Sequence, residues 1–279
     1  MTKIHLNGRL VDQAEARIDP LDRGLLLADG LFETLRAYTG HPFRLEAHLA
    51  RLTAGARLLG IPLPTATELA SSVGATLSAN RLERASIRIT VTRGTGPRGL
   101  LPPPDPRPTV IIAAHPLPAA RPTSMTARLA DIPRNEHSPL ARIKSLGYLE
   151  NILALREAAA AGADEALMLN TVGRLASGSR SNLFLVLGGV TTTPPLSEGA
   201  LPGVTRAAIL ELASAHGIPV REAPVAIAEI ADAEEAFLSN SLLEIVPLTR
   251  IGEKTLPLGP VGAEISRLYR ALVERARGT

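Results

Sequence analysis

Lysine occurs only at Lys3, Lys144 and Lys254 in a chain of 279 residues with 30 basic side chains, so nearly all of its positive charge is arginine. Such a chain draws attention to its lysines, because a lysine can lose its proton and form an imine and an arginine cannot. Lys3 lies at the start of the chain and Lys254 in the turn-like GEKT, where a surface role suffices. Lys144 sits mid-chain in the mostly apolar PLARIKSLGYL. Two readings of it stand: an imine-forming amine, or a lysine that lays its stem along apolar surface and keeps its head in water.

Other segments could hold an anion. GVTR (203–206) puts Val204 and Thr205 in the first turn of a helix, where backbone N–H groups suit a phosphate. SGSRSN (177–182) contributes Ser177, Ser181 and Asn182, and SNS (239–241) contributes Ser241, all short polar side chains that serve equally in ordinary turns. GTGPRG (94–99) fits the dinucleotide-binding pattern letter for letter, but LLPPPDPRP follows it and no helix can start there to receive a pyrophosphate. As a plain loop it could bring Arg93 and Arg98 to a substrate carboxylate. Arg51, on a helical stretch with His48 and Leu52, reads by itself as a surface arginine.

Several chemistries find no support. The chain has no cysteine, and its 6 histidines show no metal-ligand spacing, so neither thiolate nor metal chemistry is expected. The balance of 30 basic against 27 acidic residues comes without a basic run, and tryptophan is absent, which argues against nucleic acid as a partner. The N-terminal MTKIHLNGRL is charged where a signal peptide is apolar, and no stretch is apolar for long enough to span a bilayer. A cytoplasmic protein without a membrane partner is the expectation.

The elements that must position these residues follow from periodicity. Ile4 and Leu6 alternate before an Asn7-Gly8 turn, and a strand from Leu31 to Tyr38 ends at Thr39-Gly40. Helical spacing marks 46–59 and 67–80, and strands are expected at 87–91 and 109–114. The proline-rich 116–124 reads as a linker between an N-terminal α/β domain, 1–115, and a C-terminal domain, 125–279, that carries Lys144. In the second domain a strand near 125–130, an alanine-rich helix at about 146–161, a short β-meander from EALMLN to VTTT, and a helix between Gly203 and Gly217 are expected.

Read in order, DGLFETLR (29–36), HLARL (48–52), RIKSLGYLENILALREA (142–158), GADEALMLN (162–170), SGSRSNLFLV (177–186), LPGVTR (201–206) and FLSNSLLEIVPL (237–248) resemble the class IV aminotransferase family. These are the fold type IV pyridoxal phosphate enzymes, which include branched-chain and D-amino acid aminotransferases and 4-amino-4-deoxychorismate lyase. The resemblance implies an α/β (α+β) protein of two domains, the smaller α/β and the larger a pseudobarrel, with pyridoxal 5'-phosphate between them. It also implies a homodimer whose loops complete each other's sites. Lys144 falls on the lysine that carries the cofactor and moves protons, Arg51 on the arginine that grips the phosphate, and Thr205 and Ser241 on hydroxyls that complete the phosphate cup.

One position departs from the pattern. Members usually carry a glutamate that keeps the pyridine nitrogen protonated, and here Ser177 stands in its place. Two further differences, Leu149 where branched-chain enzymes have a tyrosine and Phe32 with Arg98-Gly99-Leu100 where D-amino acid enzymes have a tyrosine and an Arg-x-His trap, weaken both transaminase readings. The resemblance then favours a lyase converting 4-amino-4-deoxychorismate to 4-aminobenzoate and pyruvate. Lys144 would act as the base, Thr34 would help deliver a proton to the leaving group, and Phe32, Arg93 and Arg98 would meet the substrate. The alternatives are an aminotransferase acting on D- or branched-chain amino acids, and a relative that binds the cofactor without catalysis.

Overall fold

The computed structural model describes residues 2–118 and 120–276. Residue 119, inside the expected linker, and residues 1 and 277–279, at the ends of the two expected domains, lie outside the described residues. The chain divides into two compact units, one of residues 2–118 with Ile143–Gly147, the other of Ala120–Arg142 with Tyr148–Arg275. The Lys144 segment, however, packs with the first unit and not with the second as its place in the sequence suggested.

In the first unit the elements run β1 (Lys3–Leu6), β2 (Arg9–Asp12), α1 (Arg23–Leu27), β3 (Gly30–Tyr38), β4 (His41–Pro42), α2 (Leu45–Leu59), α3 (Ala66–Ala79), β5 (Ala85–Thr92) and β6 (Thr109–Pro116). The strands form one six-stranded sheet in the order β2-β1-β6-β5-β3-β4. Asn7 (φ 47°) and Gly8 (φ 87°) both take positive φ, the conformation of the tight hairpin turn that the Asn-Gly pair favours. Leucines of α2 and α3 (Leu49, Leu52, Leu69, Leu77) close over Leu35, Ile87 and Ile112 of the sheet in one apolar core. Thr65 and Glu68 cap α3 reciprocally, Thr65 Oγ1 accepting from Glu68 N (3.2 Å) and Glu68 Oε2 accepting from Thr65 N (2.7 Å).

The second unit contains β7 (Met125–Leu129), α4 (Leu149–Ala160), β8 (Glu165–Leu169), β9 (Leu175–Gly178), β10 (Asn182–Leu187), β11 (Val190–Thr193), α5 (Val204–Ala215), β12 (Val220–Glu222), β13 (Glu235–Asn240), β14 (Glu244–Ile251), β15 (Lys254–Thr255) and α6 (Pro260–Arg275). Its nine strands join in the order β12-β11-β10-β13-β14-β7-β8-β9, with β15 on β14. By that order β9 lies five positions from β10, about 24 Å away in a flat sheet. Yet Leu175 of β9 and Leu185 of β10 share one core cluster with Leu238 and Leu248, so the sheet curls around them. Helix α4 starts at Leu149, later than the expected 146, because the chain up to Gly147 is held by the first unit. Among the described residues no helix is long and apolar enough to cross a membrane.

Candidate active site

Alternation along β3 divides its side chains between two faces. Leu31, Leu35 and Ala37 enter the core; Glu33 shares their register, and Phe32, Thr34 and Arg36 take the opposite face. A carboxylate directed into a core requires partners. Glu33 is wholly buried and accepts from Arg51 Nε (2.7 Å), Arg51 Nη2 (2.6 Å) and His48 Nδ1 (2.7 Å). His48 and Arg51 stand three residues apart on α2 and therefore share one of its faces. Because an ionised carboxylate only accepts, the His48 proton sits on Nδ1.

Burial by itself would raise the pKa of Glu33, but the hydrogen bonds from Arg51 and His48 outweigh it and hold the carboxyl below the usual range. Burial pushes His48 down. The attraction of Glu33 opposes that shift, and the positive charges of Arg51 and Lys144 reinforce it. Lys144 is thus close enough to this cluster for its charge to be felt there.

Residues 143–147 reach that place by pairing with the edge of β3. Phe32 N donates to Lys144 O (2.9 Å), Leu146 N donates to Gly30 O (3.0 Å), and Leu31 and Ser145 form an antiparallel bridge. Lys144 Nζ lies 4.3 Å from the centroid of the Phe32 ring, and the Arg88 guanidinium carbon lies 3.8 Å from the same centroid. Arg88 pairs across β3 and β5 with Thr34, which is half-buried. An amine, a guanidinium and a hydroxyl therefore occupy one face of this sheet. Neither Arg88 nor Glu33 stands out in the sequence as a site residue. The available signals were the single charge in the alternating strand ASIRITVT and a glutamate in core register within LFETLRAY.

The two arginines expected at the substrate separate. Arg93 is buried and donates through Nε to Asp29 (2.7 Å), through Nη1 to Gly60 O (3.0 Å) and through Nη2 to Leu59 O (2.7 Å), so it fastens the end of α2. Arg98 is exposed on a loop that Arg23 pins, with Nη1 donating to Gly99 O and Nη2 to Leu100 O, both at 2.9 Å. Arg51, taken alone in the sequence as a surface arginine, is instead oriented by its two-point contact with Glu33.

In the second unit, Ser177 is buried on β9 opposite Met168. Ser181, expected at the cofactor, gives its hydroxyl to Glu165 Oε2 (2.9 Å), and Ser179 binds the other oxygen of that carboxylate, so both fix the bend after β9. Asn182 Nδ2 donates to Leu201 O (3.0 Å) and thereby holds the segment that leads into α5. Helix α5 opens at Val204 behind Gly203, and no side chain caps it. A Cβ on Gly203 would stand 2.0 Å from Asn182 Oδ1, so only glycine permits this close approach. Thr205 is buried in the first turn. At the end of β13, Asn240 Oδ1 accepts from Leu242 N (2.9 Å) and Leu243 N (2.7 Å), which shapes the turn around Ser241.

These features fit pyridoxal phosphate. An uncapped helix start backed by glycine, with a buried hydroxyl in its first turn, suits a phosphate dianion, and an amine stacked on an aromatic ring suits attachment of an aldehyde.

The amino-transferase class IV family model matches residues 30–251. A Methanocaldococcus jannaschii protein provisionally named a branched-chain-amino-acid aminotransferase is 37% identical over 271 residues, 95% of this chain and 93% of its own. The branched-chain aminotransferase of Thermoproteus uzoniensis, solved with norvaline, superposes with a TM-score of 0.92 at 35% identity, covering 98% of this chain and 94% of that one. The 4-amino-4-deoxychorismate lyase of Pseudomonas aeruginosa superposes with a TM-score of 0.87 at 36% identity, covering 96% and 98%. The mixed α/β architecture with its curled sheet is that of the fold type IV enzymes. A family model across most of the chain and relatives matched almost end to end lead to one conclusion: the protein belongs to the class IV aminotransferase family of pyridoxal-phosphate-dependent enzymes.

Proposed function

We propose that the protein is a lyase that converts 4-amino-4-deoxychorismate to 4-aminobenzoate and pyruvate, with pyridoxal 5'-phosphate carried on Lys144. The observation that carries this reading is the shared face of β3 and β5, where Lys144 and Arg88 flank the Phe32 ring and Thr34 stands opposite Arg88. When bound, pyridoxal phosphate supplies an aldehyde that condenses with amines and a ring that draws electrons from the amine-bearing carbon. Displaced from the aldehyde by the incoming substrate amine, Lys144 would be free to take the proton from that carbon as the C–O bond to the enolpyruvyl group breaks, and Thr34 would help deliver a proton to the departing enolpyruvate, which becomes pyruvate. Arg88 and the exposed Arg98 are cations for the substrate carboxylates. Within the second unit the Val204 and Thr205 backbone and the Ser241 hydroxyl would hold phosphate; in the first unit Arg51, aimed by Glu33, is the cation that the family resemblance assigns to the same group.

Ser177 supports the choice of reaction. A hydroxyl cannot enforce a protonated pyridine nitrogen as a carboxylate can, so the electron sink is weaker. An elimination that ends in an aromatic ring tolerates this better than amino-group transfer does.

A transaminase of branched-chain or D-amino acids is the second reading, supported by identities of 37% and 35% to branched-chain enzymes. Visible spectra of the cofactor-loaded protein, recorded before and after D- and L-amino acids are added singly, separate the two. Indifference to every amino acid, with release of 4-aminobenzoate from aminodeoxychorismate, supports the lyase. Rapid bleaching of the long-wavelength band by one amino acid, with no 4-aminobenzoate formed, overturns it.

A further inference from the structure

The second unit holds a cavity of about 490 Å³ bounded by β13, β14, α6 and residues 121–123, none of whose lining residues is assigned above to substrate or cofactor. Its volume falls in the range of small-ligand pockets. Phe237, Ile245, Pro247 and Leu258 give it an apolar lining, and Arg121 and Arg270 supply two guanidinium groups. Glu235 also borders it, but its two oxygens accept from Val261 N (3.0 Å) and Gly262 N (2.9 Å) at the start of α6. Both oxygens of that carboxylate are thus turned to the start of α6, and the two guanidinium groups are the cations of the lining.

Arg121 is paired with Glu244, and Arg270 donates through Nη2 to the Ser266 hydroxyl (3.2 Å). Glu244 is buried and holds a φ of 61°, a conformation unfavourable for a residue with a side chain. It directly follows the turn that carries Ser241, and its neighbours Leu243 and Ile245 both line the cavity. The Arg121 contact is therefore one of the restraints on that turn.

We propose that this cavity is a regulatory site for a small carboxylate with an apolar, ring-sized body, which binds by drawing Arg121 away from Glu244. The ring lies against Phe237 and Leu258, the carboxylate takes Arg121 and Arg270, and Glu244 loses its ion pair. The turn at 240–244 then loosens, so occupancy of the cavity is read out at Ser241.

Benzoate and its neutral analogue benzamide, titrated into the holoenzyme by calorimetry, test this, with amide hydrogen exchange followed at residues 240–244. Benzoate should bind once per chain and benzamide at least about tenfold more weakly, and Arg121→Gln and Arg270→Gln should each weaken benzoate by a similar factor. Exchange at 240–244 should rise with bound benzoate. Arg270 lies exposed on α6, so its substitution leaves the fold in place. Equal binding of the two probes, benzoate affinity unchanged in both variants, or unchanged exchange at 240–244 would each overturn the proposal. Benzoate held near Lys144 instead would survive both substitutions.

Discussion

His48 donates from Nδ1 to Glu33 Oε2 across 2.7 Å, between side chains that are 2% and 0% exposed. The pair makes the first unit sensitive to acid in two stages. His48 is lowered from 6.5, so below that value the unfolded chain takes up a proton that the folded chain refuses, and stability falls. His5, also lowered by burial, adds to the same window. Glu33 is lowered from 4.5, so its contribution is complete above that pH and is lost as pH falls through its folded value. Melting temperature should decline first below about 6.5 and again below about 4.5, and His48→Gln, whose amide can still donate to Glu33, should shrink the first step. A melting temperature flat from pH 7 to 5 would contradict this.

Lys144→Arg keeps the charge over Phe32 and removes the amine that can condense with an aldehyde. Borohydride reduction of the loaded protein should fix the cofactor's mass on the peptide containing Lys144, and the variant should carry none. Its turnover should fall by at least about a hundredfold.

Gly203→Ala forces a methyl against Asn182 Oδ1, which stands 2.0 Å from the position of the new carbon. The first turn of α5 must shift, and affinity for pyridoxal phosphate, measured by absorbance titration of the apoenzyme, should fall about tenfold. Far-ultraviolet circular dichroism should stay unchanged, because the α5 interior is untouched.

Two arginines on the same strand and its end should respond differently. Arg93→Ala leaves Asp29 with a single guanidinium and frees two carbonyls at the end of α2, at a cost of about 3 kcal/mol in denaturant unfolding, with KM unaltered. Arg88 is exposed, with its guanidinium over the Phe32 ring, so Arg88→Ala should raise KM about tenfold with a smaller loss of stability than Arg93→Ala. A reversal of these two effects would mean that Arg93 faces the substrate after all.

Ser177→Glu restores a carboxylate at the β9 position. Pre-steady-state half-reactions with amino acids should then proceed faster than in the parent, because the ring accepts electrons more readily. No increase would remove Ser177 as a reason for preferring the lyase.

Much of this protein was legible in its residue order. The Asn7-Gly8 hairpin, the strand ending at Thr39-Gly40, helix α2 stopping at Gly60 and helix α5 opening after Gly203 depend on contacts within a few residues, and local periodicity reports them. Lys144 was marked by its rarity, and seven ordered blocks marked the family. Long-range pairing was not legible. That residues 143–147 close the edge of β3, that Arg93 is consumed by Asp29 and two carbonyls, and that Ser181 serves Glu165 depend on atoms far apart in sequence. The linear chain gives the donors and acceptors that need partners, and only the packed structure selects among those available, because each buried group must be satisfied where the fold happens to bring one near.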